Sequence, residues 1–286
     1  MAPDRNLTDA EFTGLREFIY KKTGIFFTER NRFLLDARIR EILHQTGHRD
    51  ALSYLKSLND PGGSPLEVSR LINKVTITET SFFRDPHQIS AIAKNVIPEI
   101  TKRHEQLGAR LLRIWSAASS SGAEAYTLAI LLTEHFKEAL GSWNITIFAT
   151  DINEEAVQAC KAGVYRAYTL RNTPPAIRDK YFHAITDEKY AVHDDLKKLV
   201  VAEKLNLMDF SVPKKYTGAD LILLRNVLIY FEAAGKTQVL QMCYDSLREN
   251  GYLFLGQSET AFSINHAFKL VTFVNTFAYK KVPPIR

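Results

Sequence analysis

Four short apolar runs after residue 108, each ending abruptly in small or polar residues, constrain the fold more than any other feature of this chain. They are Leu111-Leu112-Arg113-Ile114-Trp115, stopped by Ser116-Ala117-Ala118-Ser119-Ser120-Ser121-Gly122; Ile145-Thr146-Ile147-Phe148-Ala149-Thr150, closed by Asp151-Ile152-Asn153; Leu221-Ile222-Leu223-Leu224; and Tyr252-Leu253-Phe254-Leu255-Gly256. Helical periodicity lies between them, over 124–139, from Asn153 through Cys160, and over 233–248. Strands this apolar bury both faces, and helices alternating with them predict a parallel α/β sheet covered on both sides.

The stretch before residue 76 has a different texture. Phe12, Leu15, Phe18 and Ile19 recur at helical spacing before Gly24, and Phe33, Leu34, Ile39, Ile42 and Leu43 before Gly47. Two further helices are expected over 50–57 and 65–74, separated by the breaker Asn59-Asp60-Pro61-Gly62-Gly63. At 286 residues the chain holds about two domains. The expected division is an all-α domain over 1–75, a linker over 76–108 that contributes to a ligand site, and an α/β domain over 109–286. Within the last, a small β-rich insertion is expected at about 165–205: a short helix over 174–182, then alternating strands (Tyr190, Val192; Leu199, Val201) around His193-Asp194-Asp195. Thr76, Thr78 and Thr80 alternate as a solvated edge strand would, with Arg84-Asp85 as a helix cap.

Thirty-seven basic residues against 32 acidic give a net charge of +5, which favours an anionic partner without choosing one. Two cysteines, Cys160 and Cys243, are too few for a disulfide framework or a thiolate metal site, so a reducing cytoplasm is the default. His44 and His48 are four apart among polar residues and read as a solvated face; no metal is expected. The N-terminus, MAPDRNLTDAEF, has no apolar core, and Arg225 and Asn226 interrupt the most apolar stretch, so neither export nor membrane insertion is expected.

In an open α/β sheet, the loop leaving the first strand and entering a helix is where an adenosyl cofactor binds, because free N–H groups and the helix dipole point there. Here that loop is SAASSSGAE, with Gly122 as its one glycine. A pyrophosphate wants more glycine, so a cofactor without phosphates, such as S-adenosylmethionine, fits better than a dinucleotide. Asp151 ends the second strand, where it would accept from ribose hydroxyls; it is equally placed as an N-cap. At the end of the third run, Asn226 would orient a substrate group and Tyr230 would face the sulfonium, the alternative being that Tyr230 and Phe231 only pack.

Seven segments together resemble the CheR family of chemotaxis receptor glutamate methyltransferases: Gly24-Ile25-Phe26 with the Arg38 helix after it, TITETSFFRD, RIWSAASSSGAEAYTLAI, FATDINEEAVQACKAGVY, LNLMDF, LLRNVLIYF and GYLFLGQSE. They run in the family's order over nearly the whole chain. The resemblance implies a Rossmann-like S-adenosylmethionine-dependent sheet preceded by an all-α domain. It implies cofactor contacts at Thr78, Thr80, Arg84, Ala118, Glu124, Asp151, Ile152, Asn206, Leu207, Arg225 and Asn226, with Arg84 near the methionine carboxylate, Asn206-Leu207 at the adenine, and Arg84, Asn226 and Tyr230 at the reacting end. It further implies that Arg30, Arg32, Arg38 and Arg40 read an acidic receptor helix; a solvated helix face is the alternative.

Thr78 stands where the family usually has Asn, and Ala123 and Ala125 replace its usual Glu or Gln and Pro. In some members the β-rich insertion docks a receptor's C-terminal pentapeptide through a glycine-containing loop. The turns here, Ile185-Thr186-Asp187-Glu188 and His193-Asp194-Asp195, contain no glycine, so independence from the pentapeptide is expected. The implied reaction transfers a methyl to a glutamate carboxylate, already ionised at neutral pH and in no need of a general base. The partners implied are methyl-accepting receptors, with no nucleic acid and a monomer by default. Two other functions share the cofactor fold: a non-catalytic adenosyl-binding signalling module, and a nucleic-acid methyltransferase, whose D/N-PP-Y/F motif is not seen.

Overall fold

The computed structural model describes residues 5–60, 62, 64–209, 214–261 and 268–283. Its first helix, α1 (Asp9–Thr23), starts at a reciprocal cap: the Thr8 hydroxyl accepts from the Glu11 N–H, and the Glu11 carboxylate accepts from the Thr8 N–H. Gly24, at φ 75°, ends it. α2 (Arg32–Thr46), α3 (Ala51–Asn59) and α4 (Pro65–Val75) close around Phe12, Leu15, Leu35, Ile39, Tyr54 and Leu71, a core of their own. The Arg5 guanidinium beside it holds the Glu11 carboxyl down to about 2, burial opposing and the Thr8 N–H and hydroxyl assisting. An unfolded Glu titrates near 4.3, so this contribution is complete above that pH and is lost as pH falls toward about 2. Glu11→Gln should destabilise the helical unit by about 1 kcal/mol at neutral pH, as a lost cap does, and should flatten its acid unfolding profile. An unchanged profile in a circular-dichroism acid titration would refute this.

α5 (Pro86–Ala91) and α6 (Ile97–Gln106) are joined through one π-helical stretch at Ile92–Val96. They pack Ile92, Val96, Ile97 and Ile100 onto the sheet, so 86–106 is an integral layer of the α/β unit. Then come β1 (Leu111–Ala117), α7 (Ala123–Phe136), β2 (Asn144–Asp151) and α8 (Glu154–Ala162). The three strands β3 (Val164–Arg166), β4 (Phe182–Thr186) and β5 (Lys189–Val192), with α9 (Pro175–Tyr181) before β4, form a separate antiparallel sheet, and α10 (Asp194–Lys197) leads out of it. β6 (Val200–Lys204), β7 (Ala219–Leu224), α11 (Ala233–Ser246), β8 (Leu247–Leu255), β9 (Phe268–Phe273) and β10 (Thr276–Lys281) complete the described elements.

The main sheet runs β6-β2-β1-β7-β8-β10-β9; its first five strands are parallel and β10 is antiparallel to both neighbours. Apolar clusters cover both faces, one around Leu112, Ile114, Ile147, Leu221 and Phe254, the other around Trp115, Ile222, Leu224, Val239 and Leu253. Strand order reverses between β1 and β7, the switch point at which such sheets open a crevice. Ala117 lies opposite Thr150 on one side and Leu224 on the other, which brings the loops after β1, β2 and β7 to one edge.

Three sequence expectations need correction. Leu199-Val201 belongs not to the insertion but to the region of β6, which pairs in parallel with β2. As an edge strand it fully buries only Ala202, and therefore alternates like a hairpin strand. Residues 76–80 form no ladder: the Thr76 hydroxyl caps α4 by donating to the Ile72 carbonyl, and the Thr78 carbonyl accepts from the Ser120 hydroxyl. Asp85 sits at the start of α5 at φ 59°, but its carboxylate turns to Arg225 and Gln257 rather than to the helix N–H groups.

Candidate functional site

At the carboxyl edge of the sheet a cleft encloses about 920 Å³, part of it open to solvent. Its floor is the β1–α7 loop. Ala118 (φ 56°) and Ser120 (φ 53°) are non-glycine residues in the left-handed region, each costing on the order of 1 kcal/mol, so the surroundings must hold them there. They do: the Ser119 N–H donates to the Thr150 carbonyl (2.8 Å), the Ser120 N–H to the Asp151 carboxylate (2.7 Å), and the Ser120 hydroxyl to the Thr78 carbonyl (2.7 Å). Gly122, at φ 84°, admits nothing larger, because a Cβ would lie 2.2 Å from the Cys160 sulfur.

Asp151 is nine-tenths buried and accepts from two N–H groups, Ser120 on one oxygen and Asn153 on the other (2.9 Å). Burial raises its pKa, and these N–H groups together with that of Ile152 oppose the rise. Each oxygen keeps a lone pair for a ligand hydroxyl. The Asn153 side chain, not that of Asp151, caps α8 by accepting from the Ala156 N–H, so the N-cap reading of Asp151 falls away. Ser119 lines the cleft, and its buried hydroxyl has no partner among the described residues. Such an atom is costly to leave unmet, and a polar ligand in the cleft would meet it.

Arg225 is 3% exposed and forms a strut: one terminal nitrogen reaches Glu124 (2.8 Å), the other Asp85 and the Arg84 carbonyl. Glu124 also accepts from the Ser116 hydroxyl (2.7 Å). Both residues line the cleft, yet their charges are spent on each other. Arg84 differs: it lines the cleft and makes no ion pair with a described residue. Among the cleft-lining residues it is the one cation without a carboxylate partner.

Asn226 (φ 59°) and Tyr230 come from the β7–α11 loop. That loop is gripped by Glu259, a buried carboxylate accepting from the N–H groups of Asn226 (2.8 Å), Gly256 (2.7 Å) and Ile229 (3.3 Å). A Cβ on Gly256 would meet the Glu259 carboxylate at 2.7 Å and the Asn226 N–H at 2.9 Å, so this approach requires glycine. Burial raises the Tyr230 pKa, with Arg38 and Arg84 pulling the other way; the phenol is protonated at neutral pH.

The helical unit forms the remaining wall. Thr23 and Ile25 line the cleft, the Phe26 N–H donates to the Tyr230 carbonyl (3.0 Å), and the Asn206 amide donates to the Lys22 carbonyl (2.8 Å). Thr80, Ala118, Ile152, Asn206 and Leu207 all line the cleft with Arg84, Glu124, Asp151, Arg225, Asn226 and Tyr230; Thr78 does not, and only its carbonyl engages the floor. The four arginines of the helical unit separate. Arg32 pairs with Asp9 (2.7 Å), Arg40 reaches Asn6 (3.1 Å), Arg38 donates to the Val75 carbonyl close to Tyr230, and Arg30 is exposed. Sequence reasoning missed Ser119, Glu259 and the Thr23–Ile25 wall. Glu259 had a signal, an acid three residues beyond the Gly that ends a buried strand; the others had none.

Two family models match the chain, the CheR methyltransferase all-alpha domain over residues 10–76 and the CheR methyltransferase SAM binding domain over residues 78–277. Chemotaxis protein methyltransferase 2 of Vibrio cholerae is 32% identical over 275 residues, covering 96% of this chain and 94% of the relative. The chemotaxis protein methyltransferase of Borreliella burgdorferi is 32% identical over 257 residues, 89% of each chain. Chemotaxis protein methyltransferase 1 of Pseudomonas aeruginosa is 32% identical over 267 residues, 92% of this chain and 94% of the relative.

Proposed function

The chain belongs to the CheR methyltransferase family, and from that premise we propose that it transfers the methyl of S-adenosylmethionine to glutamate side chains on the cytoplasmic helices of chemoreceptors. The observation that carries the choice of acceptor is the chemistry of the cleft lining: among the described residues it holds no His, Lys or Cys, and its acids are engaged elsewhere, Asp151 with N–H groups, Glu124 with Arg225 and Glu79 with Arg171 (3.5 Å). Such a lining suits an acceptor that arrives ionised. A carboxylate does; an amine or a hydroxyl would need a base to take its proton.

The cofactor supplies, when bound, a methyl on a sulfonium whose positive charge is neutralised in the transfer. The residues divide the remaining tasks. Asp151 accepts the ribose hydroxyls and Ser119 offers its unpaired hydroxyl. Arg84 takes the methionine carboxylate, Asn206 and Leu207 flank the adenine, and the Glu124–Arg225–Asp85 strut holds the loops that carry Arg84 and Asn226 at a fixed separation. Tyr230, protonated, sets the face on which the acceptor lies, and Asn226 orients it. Positioning and exclusion of water then do most of the work, because opposite charges meet and cancel in the transition state.

Independence from a receptor C-terminal pentapeptide is part of the proposal. It is supported by the β4–β5 turn at Asp187-Glu188, which has no glycine. Receptor preparations with and without their C-terminal tail should be methylated at equal initial rates; a tenfold or larger loss on tail removal, on the order of 1.4 kcal/mol, contradicts it.

A further inference from the structure

Beside the cleft lies a second, smaller groove, about 320 Å³ with the open solvent in its mouth included, lined chiefly by Phe26, Phe27, Leu34, Val75 and Ile77. Ile25, Ile77 and Tyr230 line both cavities, so the two adjoin at the Tyr230 side chain. The groove is built into the fold. Its Phe26 edge is fixed by the N–H donated to the Tyr230 carbonyl, and Arg38, at its border, is held by the Val75 carbonyl. Its surroundings carry exposed apolar residues: Ile77 is 46% exposed and Ile229, one residue before Tyr230, 49%.

We infer that this groove seats an apolar side chain of the methyl-accepting segment, one helical turn from the glutamate that is modified. The inference rests on the function proposed above and adds a rule of sequence selection to it. Adjacency fixes the occupant: a segment that presents a carboxylate beside Tyr230 passes over the groove that Tyr230 also walls. On a helix the side chains three and four residues away share the glutamate's face about 5.4 Å along the axis, the distance of an adjoining subsite. Charge agrees, since Arg38 borders the groove and Arg30 lies exposed at the start of the same helical segment, a setting that favours an acidic segment over a basic one.

The test uses the full chain and membranes carrying a chemoreceptor with a single acceptor glutamate, varied to Leu, Ala or Lys at the positions three and four residues to either side. At one of these positions Lys should raise KM about tenfold relative to Leu, with kcat within about twofold, the size expected for one apolar side chain in a pocket. Leu34→Asp in the enzyme should reverse the order, so that the Lys receptor becomes the better substrate, while affinity for S-adenosylhomocysteine by calorimetry stays that of the wild type. Equal KM for all receptors, or the same order with Leu34→Asp, overturns the inference and leaves the proposed function standing. Absence of methyl incorporation into every receptor overturns both.

Discussion

Glu259→Ala should lower kcat/KM for methyl transfer by about 100-fold or more, although the carboxylate reaches no ligand position in the cleft. Its two oxygens accept from three backbone N–H groups, those of Asn226, Gly256 and Ile229, and it is 6% exposed. Removing it leaves those donors without a partner in a buried place, at about 1–3 kcal/mol for each that water cannot reach. The loop that relaxes carries Asn226 and Tyr230, so the loss should fall mainly on kcat, with cofactor affinity changed less. Glu259→Gln keeps one acceptor oxygen but turns an NH₂ toward an N–H group; it should fall between the two. An alanine variant of wild-type activity would show that the β7–α11 loop holds its shape without this clamp.

Asp151→Asn is expected to weaken cofactor binding by about 10- to 100-fold, the scale of one or two lost charge-assisted hydrogen bonds. Each Asp151 oxygen accepts a different N–H, from Ser120 and from Asn153, so no orientation of an amide satisfies both. One N–H must face the NH₂, and the strained turn at Ala118 and Ser120 loses one of its anchors. Asp151→Ala should do more, removing both acceptors along with the oxygens offered to the ribose. Calorimetry with S-adenosylhomocysteine measures this, and thermal unfolding separates lost affinity from lost fold. A variant that binds as tightly as wild type would remove Asp151 from the cofactor site.

Much of this was legible in the sequence because burial writes itself into composition. β1, β2, β7 and β8 are covered on both faces and read as continuous apolar runs; α1 and α2 are amphipathic and end at Gly24 and Gly47, both left-handed. β6 and the β9–β10 hairpin lie at sheet edges, with one side in water, and their weak alternation did not tell which sheet they joined. At the site, the loop, Asp151 and Tyr230 stood out as residue types where a strand must end. Arg225 looked like Arg84 in sequence, and only the distances to Glu124 and Asp85 separate a strut from a cation without a carboxylate partner. The role of Ser119 depends on an atom left without a partner, which no pattern of letters records.

The net charge of +5 pointed to an anionic partner, and the four arginines of the helical unit were its expected address. Three of those four are held by the helical unit's own residues, Arg32 by Asp9, Arg40 by Asn6 and Arg38 by the Val75 carbonyl. Arg30 alone of the four is exposed, so they do not form a uniform basic helix face.

The central claim is the chemistry of the acceptor, and one experiment addresses it: incubation of the protein with methyl-labelled S-adenosylmethionine and membranes carrying a chemoreceptor, followed by mild alkali. A glutamate methyl ester predicts label in the receptor that alkali releases as volatile methanol, and none in a receptor whose acceptor glutamates are replaced by alanine. Label that resists alkali, or no label in the receptor, would contradict it.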